Sequence, residues 1–500
     1  MNLSRRDFVI GAASWGALGG CRMFRADSNF RAGDAPRLRF GVVSDVHQDL
    51  AHLQRALEYF RSRNVDAVLS SGDWTDCGLI SELENIATVW NRVFPANRAP
   101  DGHVVEKLFV TGNHDWEGQE YGKSTHNRFP DPDEFARHIL RTDYAGNWER
   151  IFGEPYAPVW MKEVKGYTFV GAHWVGDGKT LARSCNGHCE TFNTGIRDFY
   201  AAHGGEIDPS KPFFHIQHPH PKDTCYGPWA WGRDDGESTK TLSAFPNAVV
   251  FSGHSHYSLT DERSVWQGAF TSIGAGSLHY TGHPYDCCRP HAYENTGLDP
   301  ASKVMPELKA NDGKQGMLVS VYDDAIVIER REFRTGLSLG ADWVIPLPLS
   351  EKKFTFSARA ARTAAPEFPA AAAVRIAKTR AKTRKFSKVE PVEKDAWEIR
   401  FPAAVPQADL RVHEYELTFV GEKGEKAVKR LLAPGYHQPV SNEAVSAEVV
   451  CTVPADGVPA APFRVEVRPL SCWLKPGKAI VIGVDAATTA GTPSLRKSTM

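Results

Sequence analysis

Short apolar runs, each ending in a polar cluster, dominate the first two thirds of the chain. Leu38 to Val43, Val65 to Ser70, Val104 to Val110, Phe213 to Gln217 and Ala248 to Phe251 are rich in Val, Leu and Phe, the pattern of strands buried on both faces. Between the first two runs Leu53, Leu57 and Phe60 recur at helical spacing. The order is therefore strand, helix, strand, which predicts parallel pairing with the carboxyl ends of the strands opening on one crevice. Met317 to Arg331 reads as two further strands meeting at a turn near Asp323 and Asp324.

Beyond an Ala-rich stretch, Ala358 to Ala373, the pattern changes to alternation of apolar and polar residues in Ala396 to Phe401, Arg411 to Val420, Val445 to Val453, Phe463 to Pro469 and Ala479 to Val484. Strands at this spacing without helical segments predict a β-sandwich that resembles a fibronectin type III module. The expected organisation is an N-terminal signal and tether (1–34), an α/β catalytic domain of layered sheets flanked by helices (35–348), a linker (349–373), an all-β sandwich (374–486) and a disordered tail (487–500).

Polar residues of one chemical kind follow the apolar runs. They are Asp45-Val46-His47, Gly72-Asp73-Trp74-Thr75-Asp76, Gly112-Asn113-His114-Asp115, His218, and Gly253-His254-Ser255-His256. Imidazole nitrogens mixed with carboxylate and amide oxygens, without a thiolate, suit first-row ions such as Fe, Zn or Mn. Asp45, His47, Asp73, Asn113, His218, His254 and His256 exceed the needs of one catalytic ion, but they suit two ions sharing a carboxylate about 3.5 to 4 Å apart. The stretch after Pro212 holds three histidines, His215, His218 and His220; His220 could line the substrate side and His215 could be a strand residue.

In order and strand context these segments resemble the calcineurin-like metallophosphoesterase superfamily, whose pattern is DxH, GDxxD, GNHD/E, a lone His and GHxH. The resemblance covers about Arg37 to Val344. It implies a calcineurin-like phosphoesterase fold, one metal held by Asp45, His47 and His256, a second by Asn113, His218 and His254, and Asp73 as the bridge. It further implies that His114 faces the phosphate and that Asp76 and Asp115 orient His47, His114 or a metal-bound water. The activity implied is hydrolysis of phosphodiesters or phosphomonoesters by metal-activated hydroxide. Where an iron-tyrosinate branch of the family carries Tyr at the end of the second element, this chain has Asp76, so that branch is not indicated.

Charge and length limit the alternatives. The chain has 500 residues and a formal net charge of -1, which gives no general attraction to nucleic acid or anionic lipid. A nuclease of the same superfamily is therefore the second choice, and a non-catalytic surface binding protein on the same scaffold the third, since no ligand of the pattern is missing. The basic run Arg375 to Lys388 reads as a solvated loop or hairpin face. A small-molecule phosphate ester is the expected partner, with no nucleic acid.

The N-terminus reads as a processing segment. Ser4-Arg5-Arg6-Asp7-Phe8-Val9 precedes a weakly apolar stretch from Val9 to Leu18, too short to span a bilayer, and resembles a twin-arginine export signal. Leu18-Gly19-Gly20-Cys21 resembles a lipobox, which implies a lipid anchor at Cys21 and a periplasmic or membrane-anchored location, with no transmembrane span. Nine cysteines leave an even number beyond Cys21, in keeping with an oxidising compartment. Cys185 and Cys189 read as a loop disulfide or free thiols rather than a metal knuckle. Three insertions, Trp116 to Trp160, Asp223 to Thr241 and Gly274 to Asn311, are expected to decide the substrate. They carry Tyr121, Lys123, His126, Asn127 and Arg128; Cys225, Tyr226, Trp229, Trp231 and Arg233; and His279, Tyr280 and His283.

Overall fold

The computed structural model describes residues 35–117, 134, 137–175, 194–225, 236–281, 303–304, 313–382, 392–405, 412–433 and 447–485. The signal segment, Cys21, Cys185, Cys189, His283, the named residues Tyr121 to Arg128 and Tyr226 to Arg233, and the tail lie outside them.

The five predicted strands form where expected but divide between two sheets. In the first, β1 (Leu38–Val43), β2 (Ala67–Ser70) and β3 (Glu106–Phe109) run parallel. The second contains β4 (Val159–Val164), β5 (Tyr167–Ala172), β6 (Phe213–Ile216), β7 (Ala248–Ser252), β8 (Val265–Gln267) and β9 (Thr271–Gly274), in the order β4-β5-β6-β7-β9-β8. Within it β5, β6, β7 and β9 are parallel. After a two-residue strand β10 (Lys303–Val304), the chain returns to the first sheet with β11 (Gln315–Val321), β12 (Ala325–Glu332), β13 (Leu337–Ser338) and β14 (Trp343–Pro346). β11 pairs antiparallel with β1, and the turn between β11 and β12 falls at the expected Asp323 and Asp324.

Strand periodicity explains the layers. Phe40, Val42, Ala67 and Leu69 point inward from the first sheet and meet Phe169, Phe214, Ile216, Val249 and Phe251 of the second in one dry core. Phe40 sits between the layers, its ring centre 5.4 Å from Phe169, 5.0 Å from Phe214 and 5.8 Å from Phe251. Alternate residues face outward. Val43 and Val68 pack on helices α1 (Leu50–Ser62) and α2 (Ile80–Val93) through Leu53, Leu57, Phe60, Leu83, Ile86 and Trp90. Val170, Phe213 and Val250 of the second sheet pack on helix Ile196–His203 through Ile196 and Tyr200. A helix, two sheets and a helix are thus stacked in four layers, and three ligand loops leave the first sheet while two leave the second.

Two antiparallel sheets form the C-terminal region. One is β15 (Arg375–Lys382), β16 (Glu393–Pro402) and β19 (Glu448–Pro454); the other is β17 (Glu414–Gly421), β18 (Lys426–Leu432), β20 (Phe463–Leu470) and β21 (Ile480–Val484), with β10 added parallel to β18. Trp397, Ile399 and Phe401 of one sheet and Tyr415, Leu417 and Phe419 of the other fill a common core. The basic run begins as β15, paired with β16, with Arg375 beside Glu448. Cys225, Cys451 and Cys472 are buried free thiols.

The stretch read as a linker is packed. Its helix Phe356–Arg362 buries Arg359, whose guanidinium donates to the carbonyls of Glu262 and Val265 and lies between Phe354, Phe356 and Trp473. Next to it Asp261 accepts from Arg263 at 2.7 Å, and the same guanidinium lies 2.7 Å from His413 Nε2 of the C-terminal region. Asp261, His413 and Arg359 are all buried. Burial works to raise the Asp261 carboxyl, but Arg263 and His413 outweigh it and hold the group far below the usual carboxylate range. A depressed folded pKa contributes stability above the unfolded value and loses it as pH falls. Asp261→Asn should lower the free energy of unfolding by about 3 kcal/mol near pH 7, because the largely buried Arg263 guanidinium loses its anion. Urea unfolding should show that deficit in full at pH 7 and a smaller one at pH 3.

Candidate metal centre

Three of the five apolar strands that end in a ligand cluster, β1, β2 and β7, stop at loops of unusual backbone geometry. Asp45, His47, Asp73, His254 and His256 have φ of 49°, 42°, 54°, 69° and 54°, the left-handed region that side chains other than glycine rarely adopt. Each such residue costs of order 1–3 kcal/mol. Hydrogen bonds between loops hold them there: Asp45 N donates to Gly72 O (2.9 Å), Val46 N to Asp73 O (2.8 Å), and Gly253 N to His218 O (2.8 Å).

Close approach also explains two glycines. A Cβ on Gly112 would stand 2.1 Å from Asp73 Oδ1 and 2.7 Å from His218 Cε1. On Gly253 it would stand 2.0 Å from Ser44 Oγ and 2.5 Å from Asp45 Oδ2. The loops from both sheets can interlock only because these positions carry no side chain.

Three groups of donors result: Asp73 belongs to two of them, and His47, Asp76 and His114 form a third that is partly exposed. Asp45, His47, Asp73 and His256 form the first, and Asp73, His218 and His254 the second, with the offered atoms of each group within 4.8 Å of one another. All six residues are buried. His256 Nε2 lies 3.0 Å from Asp45 Oδ1 and 3.3 Å from His47 Nε2, which is 3.6 Å from Asp73 Oδ2. In the second group His218 Nε2 lies 3.1 Å from Asp73 Oδ2, 3.2 Å from His254 Nδ1 and 3.0 Å from Asn113 Oδ1. Asn113 thus joins the group to which the family resemblance assigns it.

The chemistry of the donors fits a cation. His218 Nδ1 faces the carbonyl of Ser71 at 2.7 Å, and His256 Nδ1 faces that of Tyr280 at 3.1 Å. Each Nδ1 must carry the proton there, so each Nε2 presents a lone pair. Those lone pairs point at carboxylate oxygens, an amide oxygen and other imidazoles, so acceptors face acceptors in a dry space. Two divalent ions would satisfy them. A proton is the lesser substitute: burial opposes charge on His218, but Asp73 outweighs it and raises the imidazole to about 9. Burial likewise opposes charge on Asp45, yet His256 holds the carboxyl down at about 2.

The residues around the donors divide by role. His114 is half-buried on the first group, its ring centre 4.4 Å from that of His47. Its Nδ1 donates to the carbonyl of Asp76 at 2.8 Å, and its backbone N–H donates to Asp73 Oδ1 at 2.8 Å. The exposed Asp76 carboxylate stands 3.5 Å from His47 Nδ1 and 4.0 Å from His114 Nδ1, in place to orient the former. Asp115 differs from the expectation that it orients an imidazole or a water. It is fully buried and accepts from the N–H groups of Gly112 (2.8 Å), Trp74 (3.3 Å) and Thr75 (2.9 Å) and from the Thr75 hydroxyl (3.0 Å), so it ties the second and third loops together. Burial and the charge of Asp73 push its carboxyl up to about 7.

His220 also differs from the substrate-lining alternative, since it is buried with its two nitrogens 2.6 Å from Ser252 Oγ and 2.6 Å from Ser255 Oγ. His215 is a strand residue, bonded to Tyr200 OH at 3.0 Å and Gln217 at 3.1 Å. Ser44, whose hydroxyl donates to Asp45 Oδ2 at 2.5 Å, and Ser277, whose hydroxyl donates to Asp45 O at 3.1 Å, support the centre without any sequence signal beyond adjacency to a ligand or a turn.

Known proteins agree with this region. Residues 38–258 match the family model of the Calcineurin-like phosphoesterases, and the layered catalytic region has that fold. A curated phosphodiesterase of Methanocaldococcus jannaschii is 35% identical over 49 residues, 10% of this chain, and the match spans 30% of that relative. Among solved structures, a dimetal phosphatase from Danio rerio aligns at 12% identity and TM-score 0.36, covering 62% of this chain and 99% of its own. A protein of Thermus thermophilus aligns at 10% identity and TM-score 0.33, covering 59% of this chain and 99% of its own.

If Asp73 serves both groups, its removal must differ from that of a residue serving one. Asp73→Ala should lose both ions, whereas His218→Ala should keep the one held by Asp45, His47 and His256. Elemental analysis of the purified variants, expected near zero and near one ion per chain, checks the sharing.

Proposed function

We propose that this chain is a two-metal hydrolase of phosphate esters, with diesters ahead of monoesters. Asp45, His47, Asp73 and His256 would hold one ion, and Asp73, Asn113, His218 and His254 the other. The observation that carries the reading is the shared Asp73, placed between two buried groups of imidazole, carboxylate and amide donors. When bound, first-row divalent ions would supply Lewis acidity, lowering the pKa of water and neutralising the phosphoryl oxygens as charge shifts between them.

The protein's own residues do the remaining work. His47, held by Asp76, keeps one ring nitrogen directed at the shared centre. His114 has Nδ1 committed to the Asp76 carbonyl, so proton exchange with the departing ester oxygen falls to Nε2. The Asp115 tie keeps the second and third loops in register with each other, so that Asp73 and His114 stay on the same side of the centre. The hydrolysis needs no covalent intermediate, because water displaces the leaving oxygen directly.

Export belongs to the same proposal. The twin-arginine-like segment and Cys21 support transport of the folded, metal-loaded protein to the periplasm, with a lipid at Cys21 as its anchor. No helix among the described residues is long and apolar enough to cross a membrane. The C-terminal sheets, proposed as a fibronectin type III-like unit, contribute no donor to either group and serve packing or presentation.

A phosphate-release screen over nucleotides, sugar phosphates and phosphodiesters with Mn, Zn and Fe supplied in turn tests the reading; no turnover with two ions bound would refute it. Within that screen His114→Ala should retain both ions and lose about 10²- to 10⁴-fold on alkyl esters, whose alkoxide needs a proton, but much less on nitrophenyl esters. Equal losses on both would assign His114 to charge stabilisation rather than proton donation.

A further inference from the structure

One aromatic residue at the centre has its backbone locked to two donors and its side chain partly exposed. Tyr280 lies beyond β9, on a turn fixed by Ser277, whose hydroxyl oxygen accepts from the N–H of His279 (3.1 Å) and of Tyr280 (3.3 Å) and whose O–H is given to Asp45 O (3.1 Å). His279 N also donates to Asp45 O at 3.1 Å, and Tyr280 O accepts from His256 Nδ1 at 3.1 Å. The ring centre stands 4.2 Å from that of His256 and 6.4 Å from that of His47. Among the described residues Tyr280 is one of only five large hydrophobic side chains left exposed, at 37%. The other four, Val104, Val392, Val405 and Val481, lie away from the donors.

A phenol ring on a backbone held this firmly, partly exposed and packed beside His256 in one group of donors, is a preorganised wall for whatever the phosphate carries. His279 adds to it: its ring centre is 5.5 Å from His47, and its buried Nδ1 has no hydrogen-bond partner. Stacking on such a wall gains energy only from a flat π system, and because the wall is rigid the gain is not spent on ordering it. We propose that Tyr280 selects phosphate esters whose organic group is a flat aromatic ring. The inference rests on the phosphoesterase reading for the place of the phosphate, while the selection itself is a property of binding.

The test therefore measures binding and not turnover. Calorimetry on the metal-loaded protein compares methylphosphonate, phenylphosphonate and a nucleoside 5′-phosphonate. The wild type should bind at least one ring-bearing ligand about tenfold tighter than methylphosphonate, the scale of one aromatic stack. Tyr280→Ala should remove that preference, and Tyr280→Phe, which keeps the ring, should restore it. Preference in both ring arms makes the aromatic ring itself the determinant; preference in the nucleoside arm alone narrows the class to nucleotides. Equal affinity of the wild type for all three, or an equal loss for all three in Tyr280→Ala, would overturn the proposal. Ring preference in a protein that hydrolyses no ester would instead sustain the role of Tyr280 and refute the hydrolase.

Discussion

Acceptor facing acceptor in a dry space is the interaction on which the rest of the structure depends. Asp45, Asp73, Asn113 and four imidazoles, all buried, bring their lone pairs together between the ends of two sheets. Leaving such groups unpaired costs several kcal/mol each on the scale of buried polar atoms. Cations would resolve the conflict, and their binding free energy, of order 10 kcal/mol or more for a well-formed structural site, would also offset the left-handed backbone at five of the donors. Strain and clustered lone pairs are two sides of one design: the loops are bent so that the donors meet.

The scaffold is arranged to make that bend affordable. Two sheets packed face to face around Phe40 present their strand ends to one another, so three loops come from one side and two from the other. The interlock runs through backbone hydrogen bonds and through Asp115, a carboxyl that is buried to fasten loops. Glycines at 112 and 253 let the loops touch. Support continues outward, since the segment after the last donors carries Asp261, Glu262 and Arg263, which are gripped by Arg330, Arg359 and His413. The C-terminal region thus packs directly on the chain that leaves the His256 turn.

Much of this was legible in the sequence, and the failures have physical causes. β1 coincides with its apolar run, and the other four strands agree within two residues, because strands buried on both faces show continuous apolar runs wherever they lie. For the same reason the runs could not tell that β6 and β7 belong to a different sheet from β1: a strand apolar on both faces reads alike in either layer. β18 escaped notice because Arg430 fills a buried position against Glu414 and Glu416, and an internal ion pair replaces the apolar alternation that reveals strands. The donor set was legible because its residue types are fixed by the chemistry of metals. The parts played by Asp115 and His220 were not, since a carboxyl or imidazole that bonds to backbone or serine looks the same in sequence as one that faces substrate. The packed helix at Arg359 was hidden by an alanine-rich composition that suits a spacer equally well.

The central claim, two ions sharing Asp73, is tested most directly by crystals of the protein grown with Mn(II) and measured at the manganese absorption edge. Two anomalous peaks about 3.5 to 4 Å apart, one on either side of the Asp73 carboxylate and bounded by His47 and His256 on one side and by His218 and His254 on the other, are the expected result. A single peak at full occupancy in the presence of excess Mn(II), or a second peak displaced toward Asp76 and His114 without contact to Asp73, would contradict the account.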